Sequence, residues 1–249
     1  MPDTLLTESA KFAANATQHL FTGDAPWNPY YPPGSQILGY VANERGVPAL
    51  LAMFFGACTV LFVSTYYVAK RVDRTLTRGE LSQIMWFVLS GCIHIFFEGY
   101  YAANFLDLGT KQTVIGQLWK EYAFSDSRYL TQNAFVLCME TVTASCWGPG
   151  CLIIAALIML RHPMRHPIQI IVSMGQFYGD VLYYTTSAFD HYILGITYSR
   201  PETFYFWFYF VIMNAFWIVI PGWLIYDSTV QSAKAFRKLQ QVEGTKKVT

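Results

Sequence analysis

Five apolar segments constrain this chain more than any other feature: Val47 to Val68, Ile84 to Leu106, Ala134 to Leu160, Ile168 to Ser187 and Phe204 to Tyr226. Each reaches the roughly 20 residues that a helix needs to cross a hydrocarbon core about 30 Å thick. Lipid offers no hydrogen-bonding partner to a backbone, so spans of this length must be helices. Only 13% of the 249 residues are charged, about half the share usual in a soluble domain. The expected fold is therefore an all-α membrane protein of five transmembrane helices in one domain, residues 47–230. Residues 1–46 precede it and 231–249 form a tail. Gly148-Pro149-Gly150 in the third segment predicts a bend in one span, since neighbouring helices can satisfy the carbonyls that a proline frees.

Charge sets the orientation. Lys70, Arg71, Arg74 and Arg78 follow the first span, Arg161 and Arg165 follow the third, and Lys234, Arg237, Lys238, Lys246 and Lys247 lie in the tail. That end holds eleven of the 17 basic residues, so the positive-inside rule predicts a cytosolic C-terminus and a lumenal residue 1–46 segment. The glycosylation triplet Asn15-Ala-Thr17 falls on the expected lumenal side, and no apolar h-region precedes the first span. The terminal Lys246-Lys247-Val248-Thr249 has the form of an endoplasmic-reticulum retrieval signal or of a plain basic tail. The net charge of +1 supplies no global field to attract nucleic acid. Cys58, Cys92, Cys138, Cys146 and Cys151 all sit in apolar stretches without a C-x-x-C pair, which predicts buried free thiols. Between spans, Asp107 to Arg128 is the longest loop, and Trp119 and Tyr122 are expected to rest it on the membrane interface.

Ionisable groups at mid-membrane cost about 2.5 to 3.5 kcal/mol on an insertion scale and so are expected to face a protein interior. His94 and Glu98 are four residues apart on the second span, on one helical face. They form either a pair that holds and passes a proton or a pair that packs helices together. Glu140, Thr143 and Trp147 form a stripe on the third span, and no other span offers Glu140 a basic partner. A buried neutral carboxyl of that kind can donate a proton, or it can simply hydrogen-bond a neighbouring helix. Asn214 lies near the middle of the fifth span, where an amide needs partners, and Trp217 shares its face with a π surface suited to a cation. Asp180, near the lumenal end of the fourth span, reads first as a structural hydrogen-bonding group among anchoring tyrosines. Trp147, Tyr178, Asp180 and Tyr184 are the candidates for a pocket wall. No metal site, phosphate loop, dinucleotide fingerprint or nucleophile elbow is present in the sequence, so no metal or cofactor is expected.

Several stretches together resemble the emopamil-binding protein family: Gly91-Cys-Ile-His-Ile-Phe-Phe-Glu-Gly99, Leu118-Trp-Lys-Glu-Tyr122, Asp126-Ser-Arg-Tyr129, Cys138-Met-Glu-Thr-Val-Thr-Ala144, Gly175-Gln-Phe-Tyr-Gly-Asp-Val-Leu-Tyr183, Phe206-Trp-Phe-Tyr-Phe210 and Met213-Asn-Ala-Phe-Trp217. The match extends in order from about residue 47 to 230. The resemblance implies a cofactor-independent sterol Δ8-Δ7 isomerase of the endoplasmic reticulum, with five helices around an intramembrane sterol pocket. It also implies a homodimer that binds cationic amphiphilic amines as well as sterol and membrane lipid. By the same resemblance, His94, Glu98, Glu140, Thr143, Asn214 and Trp217 form the catalytic set. A non-catalytic sterol or amine receptor of related fold, or a proton-coupled transporter, would place carboxylates in the membrane too. Retention of all six residues favours the enzyme, and the lack of internal repeats weighs against the transporter.

Overall fold

The computed structural model describes residues 27–246, side chains of 244–246 excepted, so the Asn15 triplet and the terminal Val248-Thr249 lie outside the described residues. Those residues fold into six helices of length without a strand. They are α1 (Val47–Val72), α2 (Arg78–Ala103), α3 (Val114–Tyr122), α4 (Ala134–Met159), α5 (Arg165–Leu194) and α6 (Phe204–Lys246). Local chemistry starts and stops each one. Lys70 and Arg71 in the last turn of α1 meet its negative dipole end. At the start of α2, Thr77 Oγ1 accepts from the Glu80 N–H while the Glu80 carboxylate accepts from the Thr77 N–H, which satisfies two orphan donors reciprocally. Thr113 and Asn133 cap α3 and α4. Gly195, at φ +69°, ends α5 in the left-handed conformation that glycine adopts without cost.

Helices α1, α2, α4 and α6 are long and apolar enough to cross a membrane. The remaining long helix, α5, has 30 residues, or about 45 Å at 1.5 Å per residue, but its composition is more polar. The reason is its inward face, where Gln169, Ser173 and Gln176 are buried while Ile171 and Met174 point outward. Against α6, Gln169 Nε2 donates to the Leu224 carbonyl, so α5 completes the bundle with its polar side turned in. Cys151 is buried, but Cys138 and Cys146 are exposed on the outer surface of α4, which corrects the expectation that every thiol is internal.

Three helices depart from α geometry. Ile93–Glu98 in α2, Thr143–Trp147 in α4 and Phe204–Ile212 in α6 are π-helical, a form that mostly appears as single turns at functional sites. The expected irregularity of α4 thus begins before Gly148-Pro149-Gly150. Gly148 itself serves a close approach, since a Cβ there would lie 2.6 Å from Ile95 Cγ1 and 3.2 Å from His94 Cβ. Small residues let helix backbones meet in lipid, where hydrophobic attraction between helices is absent.

The long Asp107–Arg128 stretch does not lie flat on the membrane interface. It folds into α3, and Trp119 is only 2% exposed, with its indole N–H donating to the Phe97 carbonyl. Residues 28–46 seal the same end: Tyr30 Oη donates to the Lys120 carbonyl, and the buried Lys120 ammonium donates to the Val41 carbonyl. Arg128 and Asp126 form a fully buried ion pair nearby, with Arg128 also donating to Thr186 and the Tyr183 carbonyl. At the opposite end, Arg161 joins the α1–α2 and α4–α5 connections by donating to Asp73 and Glu80. Hydrogen bonds from the Thr75 hydroxyl and backbone N–H, then from Arg161, hold the Asp73 carboxyl down from its ordinary 3.8 to about 2. A depressed carboxylate stabilises the fold above its unfolded value and loses that contribution as pH falls through the folded one. Thermal unfolding of the purified protein should therefore show a melting temperature that falls between about pH 4 and pH 2, and Asp73→Asn should flatten part of that slope. An unchanged slope would remove Asp73 from the acid response.

Candidate active site

The bundle holds a partly open cavity of ≈ 330 Å³, within the range of small-molecule sites. Every helix from α1 to α6 contributes to its wall, among them Phe54 of α1, Trp119 of α3 and Met213 of α6. The π turns aim the polar side chains inward. His94 and Glu98 occupy the first and touch directly, with His94 Nδ1 2.8 Å from Glu98 Oε2 and 2.9 Å from Oε1. The ring is 2% exposed. Thr143 opens the second, and Asn214 and Trp217 lie in the α-helical segment after the third, two and five residues beyond Ile212. All six residues of the expected catalytic set line the one cavity.

Five of the six are restricted by a hydrogen bond, and Trp217 by ring contacts. The Tyr129 hydroxyl donates to Glu140 Oε1 at 2.7 Å, holding a carboxyl that has no cation against it. Asn214 Nδ2 donates to the Phe210 carbonyl at 2.6 Å, a group within the π turn, and bonds the Tyr122 hydroxyl at 2.9 Å. One amide thus ties α6 to α3. The Thr143 hydroxyl donates to the Met139 carbonyl at 2.9 Å and faces the cavity with acceptor lone pairs. Trp217 stacks obliquely beside Trp86 and lies 6.2 Å from the His94 ring, centroid to centroid. Its indole N–H is buried without a partner among the described residues.

The four further wall candidates divide. Asp180 lines the cavity, and its Oδ2 is buried without a hydrogen bond, so the expected structural role does not describe that oxygen. Trp147 lies behind the wall, its ring filling the space where a Cβ on Gly175 would be 2.4 Å away. Tyr178 is 61% exposed on the outer face of α5. Tyr184 donates to the Val211 carbonyl and joins α5 to α6 rather than lining the cavity. Helical phase explains the division. Gln176, Gly179, Asp180 and Tyr183 occupy the inward face, and Tyr178 lies about 200° from Gln176 at 100° per residue.

Tyr122, Tyr129 and Gln176 contact the expected set without belonging to it. Their signal in the sequence is faint, because Tyr122 belongs to the Asp107–Arg128 loop, Tyr129 directly follows it, and Gln176 is one polar residue in an amphipathic helix. Among the described residues no group of three or more His, Cys, Asp or Glu is placed to hold a metal ion.

A model of the EXPERA family (EXPanded EBP superfamily) matches residues 114–228. The 3-beta-hydroxysteroid-Delta(8),Delta(7)-isomerase of Rattus norvegicus is 39% identical over 208 residues, covering 83% of this chain and 89% of the relative. The protein of that name from Cavia porcellus is 33% identical over 84% of this chain and 91% of its own length. Protoglabretal synthase MOI1 of Citrus sinensis is 26% identical over 80% and 92%.

Gly179 offers a clean probe of the cavity, since a Cβ built there meets nothing within 4 Å while the residue lines the wall. Gly179→Val should fold at least as stably, because valine exceeds glycine in helix propensity by a few tenths of a kcal/mol. Its branches would occupy cavity space, so binding of a labelled sterol should weaken by about tenfold, the effect of losing roughly 1.4 kcal/mol of contact. Unchanged binding would place the ligand elsewhere.

Proposed function

Since the chain belongs to the emopamil-binding protein family, we propose that it is a sterol Δ8-Δ7 isomerase acting by proton transfer within the cavity of the bundle. The observation that carries this reading is the convergence of Glu98, Glu140, His94 and Trp217 on one cavity, whose wall also holds Glu121, Asp180 and Trp119. Addition of a proton to carbon 9 of a Δ8 sterol leaves a tertiary cation at carbon 8, and loss of a proton from carbon 7 forms the Δ7 bond. No proton, electron or group is consumed overall. What is needed is a donor, an acceptor and stabilisation of a cation in a site without water.

The Glu98–His94 pair delivers the proton, because the two groups share a direct hydrogen bond and can exchange it. Glu140 removes the carbon 7 proton or stabilises the cation, with Tyr129 holding its Oε1 and Thr143 beside it on the same face. Trp217 turns its π surface to the cation. Asn214 orients these groups by linking the π turn of α6 to Tyr122. The two carboxyl groups could exchange roles without altering the balance of the reaction. The same carboxyls suit cationic amphiphilic amines, whose ammonium imitates the charge of the intermediate. Similarity over more than four fifths of the chain to relatives named as isomerases favours this reading over a receptor that only binds.

Purified protein in buffer free of nucleotide and metal should convert a Δ8 sterol into its Δ7 isomer, and absence of conversion would overturn the reading. Glu98→Gln and Glu140→Gln should each lower turnover by about 10²-fold or more, the usual contribution of a positioned acid or base. Near wild-type turnover in both would remove the acid–base assignment. A desolvated cation–π contact contributes about 2 kcal/mol or more, so Trp217→Leu should reduce turnover by roughly thirtyfold at 1.36 kcal/mol per decade, with a smaller effect on sterol affinity. A change in affinity alone would make Trp217 a wall residue.

The protein works as a homodimer in the endoplasmic reticulum membrane, with lipid around its apolar faces, its N-terminus lumenal and its C-terminus cytosolic. The Arg161 cluster supports the topology, since it joins two of the basic connections at one end of the bundle. In sealed microsomes a C-terminal tag should be cut by added protease while a tag near Asn15 survives. The reverse pattern would invert the topology.

A further inference from the structure

His94 has a second contact, on the side of the ring away from Glu98. Its Nε2 lies 2.9 Å from Nε2 of Gln176 on α5, and the same amide nitrogen is 3.4 Å from Cys151 Sγ on α4. All three side chains are buried, Gln176 with 4% and Cys151 with none of its surface exposed. The other end of the amide, Gln176 Oε1, has no partner among the described residues. An amide N–H can meet an imidazole nitrogen only if that nitrogen is an unprotonated acceptor. With its nitrogen on this side, the amide pairs with the neutral tautomer that carries its proton on Nδ1, which then donates to Glu98. Turning the amide by 180° would bring Oε1 against His94 Nε2 and the Cys151 thiol, and the nitrogen would take the place that lacks a partner. Each orientation leaves one amide end unpaired, so the two are similar in hydrogen bonding, and the protonation of the ring decides between them.

We propose that Gln176 is a positioning residue that follows the proton on His94: its N–H caps Nε2 while that nitrogen is bare, and its turned carbonyl accepts Nε2–H once a proton is taken up there. This rests on the isomerase reading and adds a specific consequence. His94 does not face the sterol through a free nitrogen. Both ring nitrogens are occupied, so the imidazole acts through Glu98: the doubly protonated ring passes its Nδ1 proton to the Glu98 carboxylate and keeps Nε2–H on the turned Gln176 carbonyl. The titratable groups around the ring are Glu98 on its own helix, Glu140 and Cys151 on α4, and Asp180 in the same cavity wall on α5. Gln176 and Trp217 do not titrate. Among these neighbours, only Gln176 contacts Nε2 directly.

The test uses full-length protein with 15N in its histidine rings, in detergent, with the His94 signals assigned by their absence in His94→Gln. The wild type should show a protonated Nδ1 and a bare Nε2 near neutral pH. Gln176→Met, similar in volume and without polar hydrogen, should give mixed tautomers, and turnover should fall by about tenfold with little change in KM. Gln176→Glu presents an acceptor, so Nε2 should become protonated and the pH–turnover profile should move to higher pH. It also serves if the Met variant fails to fold. A wild-type ring protonated on Nε2 would overturn the proposal. So would a bare Nε2 in the Glu variant, or turnover and pH profile unchanged in the variants that fold. If wild-type protein converts no sterol, the functional reading fails, while the tautomer signals still decide the role of Gln176.

Discussion

A carboxyl group inside a bilayer must find its hydrogen-bonding partners within the protein, because the hydrocarbon supplies none and exposure to it costs several kcal/mol. That constraint organises the bundle. Glu98 is held by His94, Glu140 by Tyr129, and His94 by Gln176. The partners come from α2, from the connection after α3, and from α5, so satisfying the two acids draws together parts of the chain that are distant in sequence. The polar face of α5 belongs to the same account. Its inward glutamines and aspartate lower its hydropathy below that of the other long helices, and they are the groups that a buried site can use.

The π turns supply the geometry. An extra residue per turn opens the helix and changes the direction in which the following side chains project. His94 and Glu98 lie inside one such turn and meet at hydrogen-bonding distance, while Gly148 on α4 lets that turn approach without a Cβ in the way. In α6, Asn214 donates to the Phe210 carbonyl within the wide turn. It therefore has a backbone role and a site role together, which explains how a polar amide is accommodated in a helix otherwise crowded with aromatic residues.

Much of the enzyme was legible in the chain. Apolar runs of twenty or more residues require helices in lipid, and the free-energy cost of His94, Glu98, Glu140 and Asn214 at mid-membrane requires that they point inward. The resemblance of the short motifs identified the family. Helical phase was harder to read on α5, where Tyr178 and Asp180 are two residues apart yet one faces out and the other lines the cavity. Trp147 shares a stripe with Glu140 in an ideal α-helix, but it lies behind the wall because the π turn shifts the register after Thr143. Sequence alone determined the helices, the membrane and the inward placement of the acids, because these follow from length, hydropathy and solvation of individual residues. Only the tertiary structure decided that α3 folds in from the longest loop, that Tyr129 holds Glu140 and that Gln176 holds His94, because those contacts depend on helix register and on distances between residues far apart in the chain.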